Sequence, residues 1–375
     1  MASQRGARVL HVCLVSGSYP PVRCGVGDYT SRLAAALVKA GARVTVVTSA
    51  AVSAPLKIPG VTVHPVVSSW GAWNTSGLGQ RLQALQPDSV QVMYPSLGYG
   101  RGWAPNLILG WLAKHMPACG RILTLHEYAM FSWLGQWRLR PALAAAQAVV
   151  CTNHLDRRAL RRIKPARVIP LGSAVASGQG PVSFFSAGPR AVVHFGTVMP
   201  NKGWETLLPA WNLLRAQGCT LALDVPGELE TGRYAYHRRI EKLIRQAGLP
   251  GQVRFLGYLP PYGVRRAFAQ SCGMAVLPFR GGARLNRSSL VAALAAGLAV
   301  VTTRPPQPLE GLRHGKNIWL VEPGDAGALA AGVRRLAEDP RLRRRLQAGA
   351  RRAARRFAWP RIARQMLALF REVKP

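Results

Sequence analysis

Acidic residues are scarce in this chain: 15 Asp and Glu stand against 50 Lys and Arg in 375 residues, a formal net charge of +35. A surface so poor in carboxylates does not suit a cationic partner, and its field draws in anions such as nucleotides, phospholipid headgroups or nucleic acid. Cysteine is sparse too. The six (Cys13, Cys24, Cys119, Cys151, Cys219, Cys272) lie far apart with no C-x-x-C pair, which argues against a disulfide framework or a thiolate zinc site and suits small buried side chains in a reducing compartment. No D-x-D pair and no His/Asp cluster at metal-ligand spacing occurs, so a metal-independent chemistry is expected. Long apolar runs are missing as well. Ser289 to Thr303 is broken by Gly297, short of the roughly 18 to 20 residues a spanning helix requires. The start, MASQRGARVLHVCLVSG, places an Arg before an apolar run but lacks a small-x-small cleavage site, and it reads as a first strand. Interleaved aromatic and basic motifs of the nucleic-acid-binding kind are absent, which makes nucleic acid the least favoured partner.

What is present is a globular pattern. Hydrophobic residues make up 49% and Gly and Pro are scattered at element ends, excluding a disordered or collagen-like chain. The length suits two domains. Short β-branched runs alternate with helical spacing, the sign of βαβ units on parallel sheets. Strands are expected at Val9–Val15, Arg43–Thr48, Ser89–Met93, Arg121–Leu125, Ala148–Cys151 and Arg167–Ile169, then, after a Gly/Ser/Pro-rich linker from Ser173 to Arg190, at Ala191–Phe195, Thr220–Val225, Gln252–Phe255, Met274–Leu277, Leu298–Thr302 and Ile318–Val321. Such sheets bind ligands beyond the carboxyl ends of their strands, so the chemistry is expected at Gly17–Gly27, His126, Gly196–Gly203 and Gly281–Ser289. Twelve arginines from Arg334 to Arg364 sit among helically spaced Leu and Ala. They predict a basic face turned to solvent or to an anionic membrane, and with it a cytoplasmic, peripheral location.

The ligand loops carry YPPVRCGVGDYTSRLAAAL, TLHEY, VIPLGS, HFGTVMPNKGWETLL, VRFLGYLPPYGVRRAFAQSCGMAVLPF, and AALAAGLAVVTT followed by LVEPGD. In that order they resemble family 4 glycosyltransferases over nearly the whole length. The resemblance implies a GT-B fold, α/β with two Rossmann-like doubly wound parallel-sheet domains facing a cleft. Boundaries are expected at 1–175 for an acceptor-side domain and 190–357 for a nucleotide-sugar domain, with a helix at 358–375 packing back on the first. It further implies retaining sugar transfer from a nucleoside-diphosphate-sugar to a glycan or lipid-linked acceptor, the nucleotide-sugar being substrate and no cofactor being needed.

Residue by residue, Gly25 and Gly27 stand where backbone N–H groups approach a phosphate or sugar. His126 matches the histidine that contacts the donor sugar. Lys202 keeps its place in a loop similar to G-R-L-x-x-x-K-G, where it would neutralise the diphosphate, while Thr197 replaces the usual Arg. Aligning AALAAG with E-A-x-A-x-G puts Arg284 and Ala292 on the two glutamates of an E-x7-E motif. No Asp or Glu occurs between Glu241 and Glu310, so neither carboxylate is present. In their stead Arg284, Arg287, Ser288 and Ser289 at an expected helix N-terminus suit an anion. Glu310 is expected to open a short helix, and Glu322 to start a loop. The missing carboxylates keep a second reading open, a non-catalytic GT-B protein acting as a binding or scaffold module.

Overall fold

A computed structural model describes residues 9–173 and 191–373. Except for Ser173, the expected linker lies outside the described residues. Two compact units result, one within Met1–Gly172 together with Trp359–Pro375, the other within Ser173–Ala358.

The first unit runs β1 (His11–Val15), α1 (Gly25–Lys39), β2 (Arg43–Ser49), β3 (Val61–Val67), α2 (Thr75–Leu85), β4 (Ser89–Tyr94), α3 (Ala104–His115), β5 (Gly120–Leu125), α4 (Trp133–Arg138), α5 (Arg140–Ala145), β6 (Ala148–Cys151), α6 (His154–Leu160) and β7 (Ala166–Val168). Its strands form one parallel sheet in the order β3-β2-β1-β4-β5-β6-β7. Central strands such as HVCLV are buried along their whole length, as continuous apolar runs in a sheet covered on both faces must be. Strand β3 has no counterpart among the expected strands. Its sequence, VTVHPVV, is interrupted by His64 and Pro65 and is only partly buried at the sheet edge, where a proline is tolerated.

The second unit continues with β8 (Ala191–Val193), α7 (Trp204–Ala216), β9 (Ala222–Val225), α8 (Ala235–Gln246), β10 (Val253–Phe255), α9 (Pro261–Gln270), β11 (Met274–Leu277), α10 (Ser288–Ala296), β12 (Ala299–Thr303), β13 (Trp319–Val321), α11 (Ala326–Glu338) and α12 (Pro340–Ala354). Here the parallel order is β10-β9-β8-β11-β12-β13. The chain then returns to the first unit as α13 (Trp359–Glu372), whose Ile362, Met366 and Phe370 share a core with Leu33 and Leu37 of α1.

Both orders reverse direction beside their first strand, between β1 and β4 and between β8 and β11. Those reversals are where an open parallel sheet leaves a crevice for ligands. The expected helix at Glu310 is not formed. Glu310 lies exposed in a turn, and its carbonyl and carboxylate both face Arg356. Glu322 follows β13 and pairs with Arg304 at 2.5 Å.

Candidate functional site

In the second unit the loops after β8 and β11 meet at the crevice. The first ends in a single 3-10 turn, Pro200–Lys202, and Gly203 then enters α7 at φ +76°. That left-handed backbone favours glycine, and a Cβ at Gly203 would also collide with the Pro278 carbonyl. The close approach fixes Lys202 against the second loop. Its Nζ lies 3.4 Å from Ser289 Oγ and 5.4 Å from the centre of the Phe279 ring. The Arg287 guanidinium stands 5.6 Å from the same ring. Two cations therefore share one buried aromatic at the mouth of α10.

The N-cap residue of that helix is Arg287, whose side chain makes no capping hydrogen bond. The amides of the first turn have no partner within the helix, and the dipole adds positive potential. Burial, with the Arg287 charge behind it, pushes the Lys202 ammonium down to about 8. No carboxylate among the described residues pairs with Lys202. Like charges beside a desolvated lysine are a cost that a bound anion would remove.

Not every expected residue joins this group. Ser289, which accepts from Lys202, is buried, whereas Ser288 is the exposed first residue of α10. Arg284 is linked through its carbonyl, which accepts from Arg287 N–H, while its guanidinium lies beside Gly281. Ala292 is fully buried in the core beneath α10.

Two residues that sequence reasoning missed hold the loop. His237 Nδ1 accepts from the Glu230 amide at 2.8 Å, so its Nε2 carries the proton and donates to the Val198 carbonyl at 2.8 Å. Phe279 supplies the ring under both cations. A lone histidine in the first turn of a helix and a phenylalanine among apolar residues carry no local signal of such roles.

Gly25, Gly27 and His126 belong to the first unit. Both glycines fall in the first turn of α1 rather than in the loop before it. A Cβ at Gly27 would come within 3.0 Å of the Ser18 carbonyl, whereas one at Gly25 would meet open space. His126 follows β5, its amide donating to the Tyr94 carbonyl. Its ring packs edge-on to Tyr29 of α1, 4.9 Å between centres. Burial lowers the imidazole to about 4, so it is neutral at pH 7.

A family model for group 1 glycosyl transferases matches residues 189–339, and one for the glycosyl transferase 4-like domain matches 24–172. The chain belongs to the group 1 glycosyl transferases. Among curated relatives, phosphatidyl-myo-inositol mannosyltransferase of Mycobacterium tuberculosis is 34% identical over 179 residues, 46% of this chain and 44% of that protein. A putative colanic acid biosynthesis glycosyltransferase of Salmonella typhimurium is 29% identical over 158 residues, 41% and 37% of the two chains. The matched stretch thus spans less than half of these relatives. In fold, the chain is similar to sucrose-phosphate synthase of Thermosynechococcus elongatus (TM-score 0.74, 21% identity, 97% and 99% of the two chains) and to Anabaena HepE in complex with UDP-glucose (0.70, 18%, 97% and 100%). The two-domain GT-B fold is therefore that of this chain.

Proposed function

We propose that the protein transfers a hexose from a nucleoside-diphosphate-sugar to a glycan or lipid-linked acceptor in polysaccharide or glycolipid synthesis. The anomeric configuration would be retained and no metal used. The observation that carries this is the pair Lys202 and Arg287 on one ring at the uncapped N-terminus of α10, with no carboxylate to balance Lys202. Negative charge develops on the diphosphate as the sugar leaves, and fixed cations with helix amides stabilise it. His126 would contact the sugar as a neutral donor or acceptor, and the open face at Gly25 would admit substrate. The HepE structures hold UDP or UDP-glucose, and the mycobacterial relative is named for a phosphatidylinositol substrate, which supports a nucleotide-sugar donor and a lipid acceptor.

The test is turnover across a panel of nucleotide sugars, read as released nucleoside diphosphate with and without lipid acceptors. Lys202→Ala should abolish release while leaving the fold intact. A second reading, nucleotide binding without catalysis, draws support from Arg284 and the buried Ala292 in place of the motif carboxylates. Measurable nucleotide binding with no turnover on any donor would select it. An anionic membrane as partner, with a peripheral cytoplasmic location, completes the proposal on the strength of net charge.

A further inference from the structure

Most of the apolar side chains of α4 are turned to solvent. Trp133 is 74% exposed, and Leu134 and Trp137 are each more than half exposed. Positions 133, 134 and 137 share one side of a helix. Met130, just before α4, is also more than half exposed. The face continues sideways, because Trp137 lies 6.1 Å from Trp103 and the Arg138 guanidinium covers Trp103 at 4.8 Å. Arg138 is itself locked by donating to the carbonyls of Arg101 and Gly102. On the other side, Asp156 of α6 accepts from the Ala129 amide at 2.8 Å and ties the turn Tyr128–Met130 to α6. The exposed Arg157 and Arg158 directly follow Asp156 in α6, one and two residues from this tie.

Carboxylates are nearly absent here. Between Asp88 and Asp156 the sequence holds a single one, Glu127. Indoles with aliphatic neighbours, ringed by arginines, match the interface of an anionic bilayer. The rings and Leu134 sit at headgroup depth and the guanidinium groups pair with lipid phosphates. A neutral glycan would stack on the tryptophans but offers no anion to the exposed Arg157 and Arg158.

We propose that the tryptophan face around α4, flanked by Arg138, Arg157 and Arg158, seats the first unit on an anionic lipid bilayer. The arginines of α12 and α13 are exposed too, yet after Tyr262 no large apolar side chain is exposed among the described residues. The C-terminal helices thus offer charge without anything to insert. This inference does not depend on sugar transfer, and its test involves no donor.

Co-sedimentation of the full chain with vesicles of phosphatidylcholine, with and without phosphatidylglycerol, provides that test. Binding should require phosphatidylglycerol and should fall at least tenfold in a Trp133→Ser/Trp137→Ser variant of unchanged Tm. Arg157→Glu/Arg158→Glu should weaken it as well, and Arg344→Glu/Arg345→Glu should not. Should the serine variant fold poorly, Trp133→Phe/Trp137→Phe offers a second readout. Brominated lipid should quench the wild-type fluorescence more strongly than that variant's. Wild-type protein that stays in solution, tryptophan variants that bind normally, loss confined to the Arg344/Arg345 variant, or equal quenching would each overturn the proposal. So would a serine variant that still binds vesicles but loses self-association by sedimentation velocity, since the face would then dock protein.

Discussion

Lys202 concentrates the question of function in one side chain. Replacing it with alanine should raise the Kd for a nucleoside diphosphate at least tenfold by calorimetry, consistent with about 1.5–3 kcal/mol for a charge-assisted hydrogen bond. The melting temperature should stay within a few degrees, since half-buried Lys202 has no carboxylate partner among the described residues. Its lowered pKa adds a direction. The ammonium is charged below about 8 and loses its proton above, so diphosphate affinity should fall as pH rises through that value. Lys202→Arg, which stays protonated, should flatten the profile; an unchanged slope would remove Lys202 from the phosphate site. Lys202 could be singled out as a candidate in sequence because the loop around it is short, local and similar to a family motif. His237 and Phe279 were not legible, because their partners, Val198 and the cations Lys202 and Arg287, are remote in sequence or belong to a different loop.

At the scale of elements, the glycines at the starts of α1 and α7 differ in what a side chain would meet. Gly25→Ala adds a methyl group into open space on a helix, so stability should hold or rise slightly, and any loss should appear in KM. Gly27→Ala presses on the Ser18 carbonyl and should lower Tm. Gly203→Ala combines left-handed backbone with a collision at Pro278, and should cost about 1–3 kcal/mol in urea unfolding. It should also weaken nucleotide binding, because the same turn sets Lys202 against Ser289. Strand positions were readable from β-branched runs to within a residue or two. The edge strand β3 was not, because partial exposure and Pro65 blur the apolar signal. Glu310 shows the converse error: a proline followed by a carboxylate looks like a helix start, but the Arg356 contact holds the segment as a turn.

For the whole molecule, the C-terminal helix is the revealing part. Deleting α13 uncovers the core built with α1 and removes Trp359, Ile362, Met366 and Phe370. Truncation before Trp359 should therefore destabilise the first unit, by on the order of 5 kcal/mol or more, while the second unit keeps its own transition in calorimetry. Two transitions that shift together would show that the units unfold as one. The amino-acid sequence by itself determined that there are two parallel α/β units and where the loops after their strands fall, because burial on both faces of a sheet writes continuous apolar runs and turns demand glycine. Only the tertiary structure decided which cations share a site and which tryptophans face solvent. Those depend on residues distant in the chain arriving at one place, and no local pattern records that arrival.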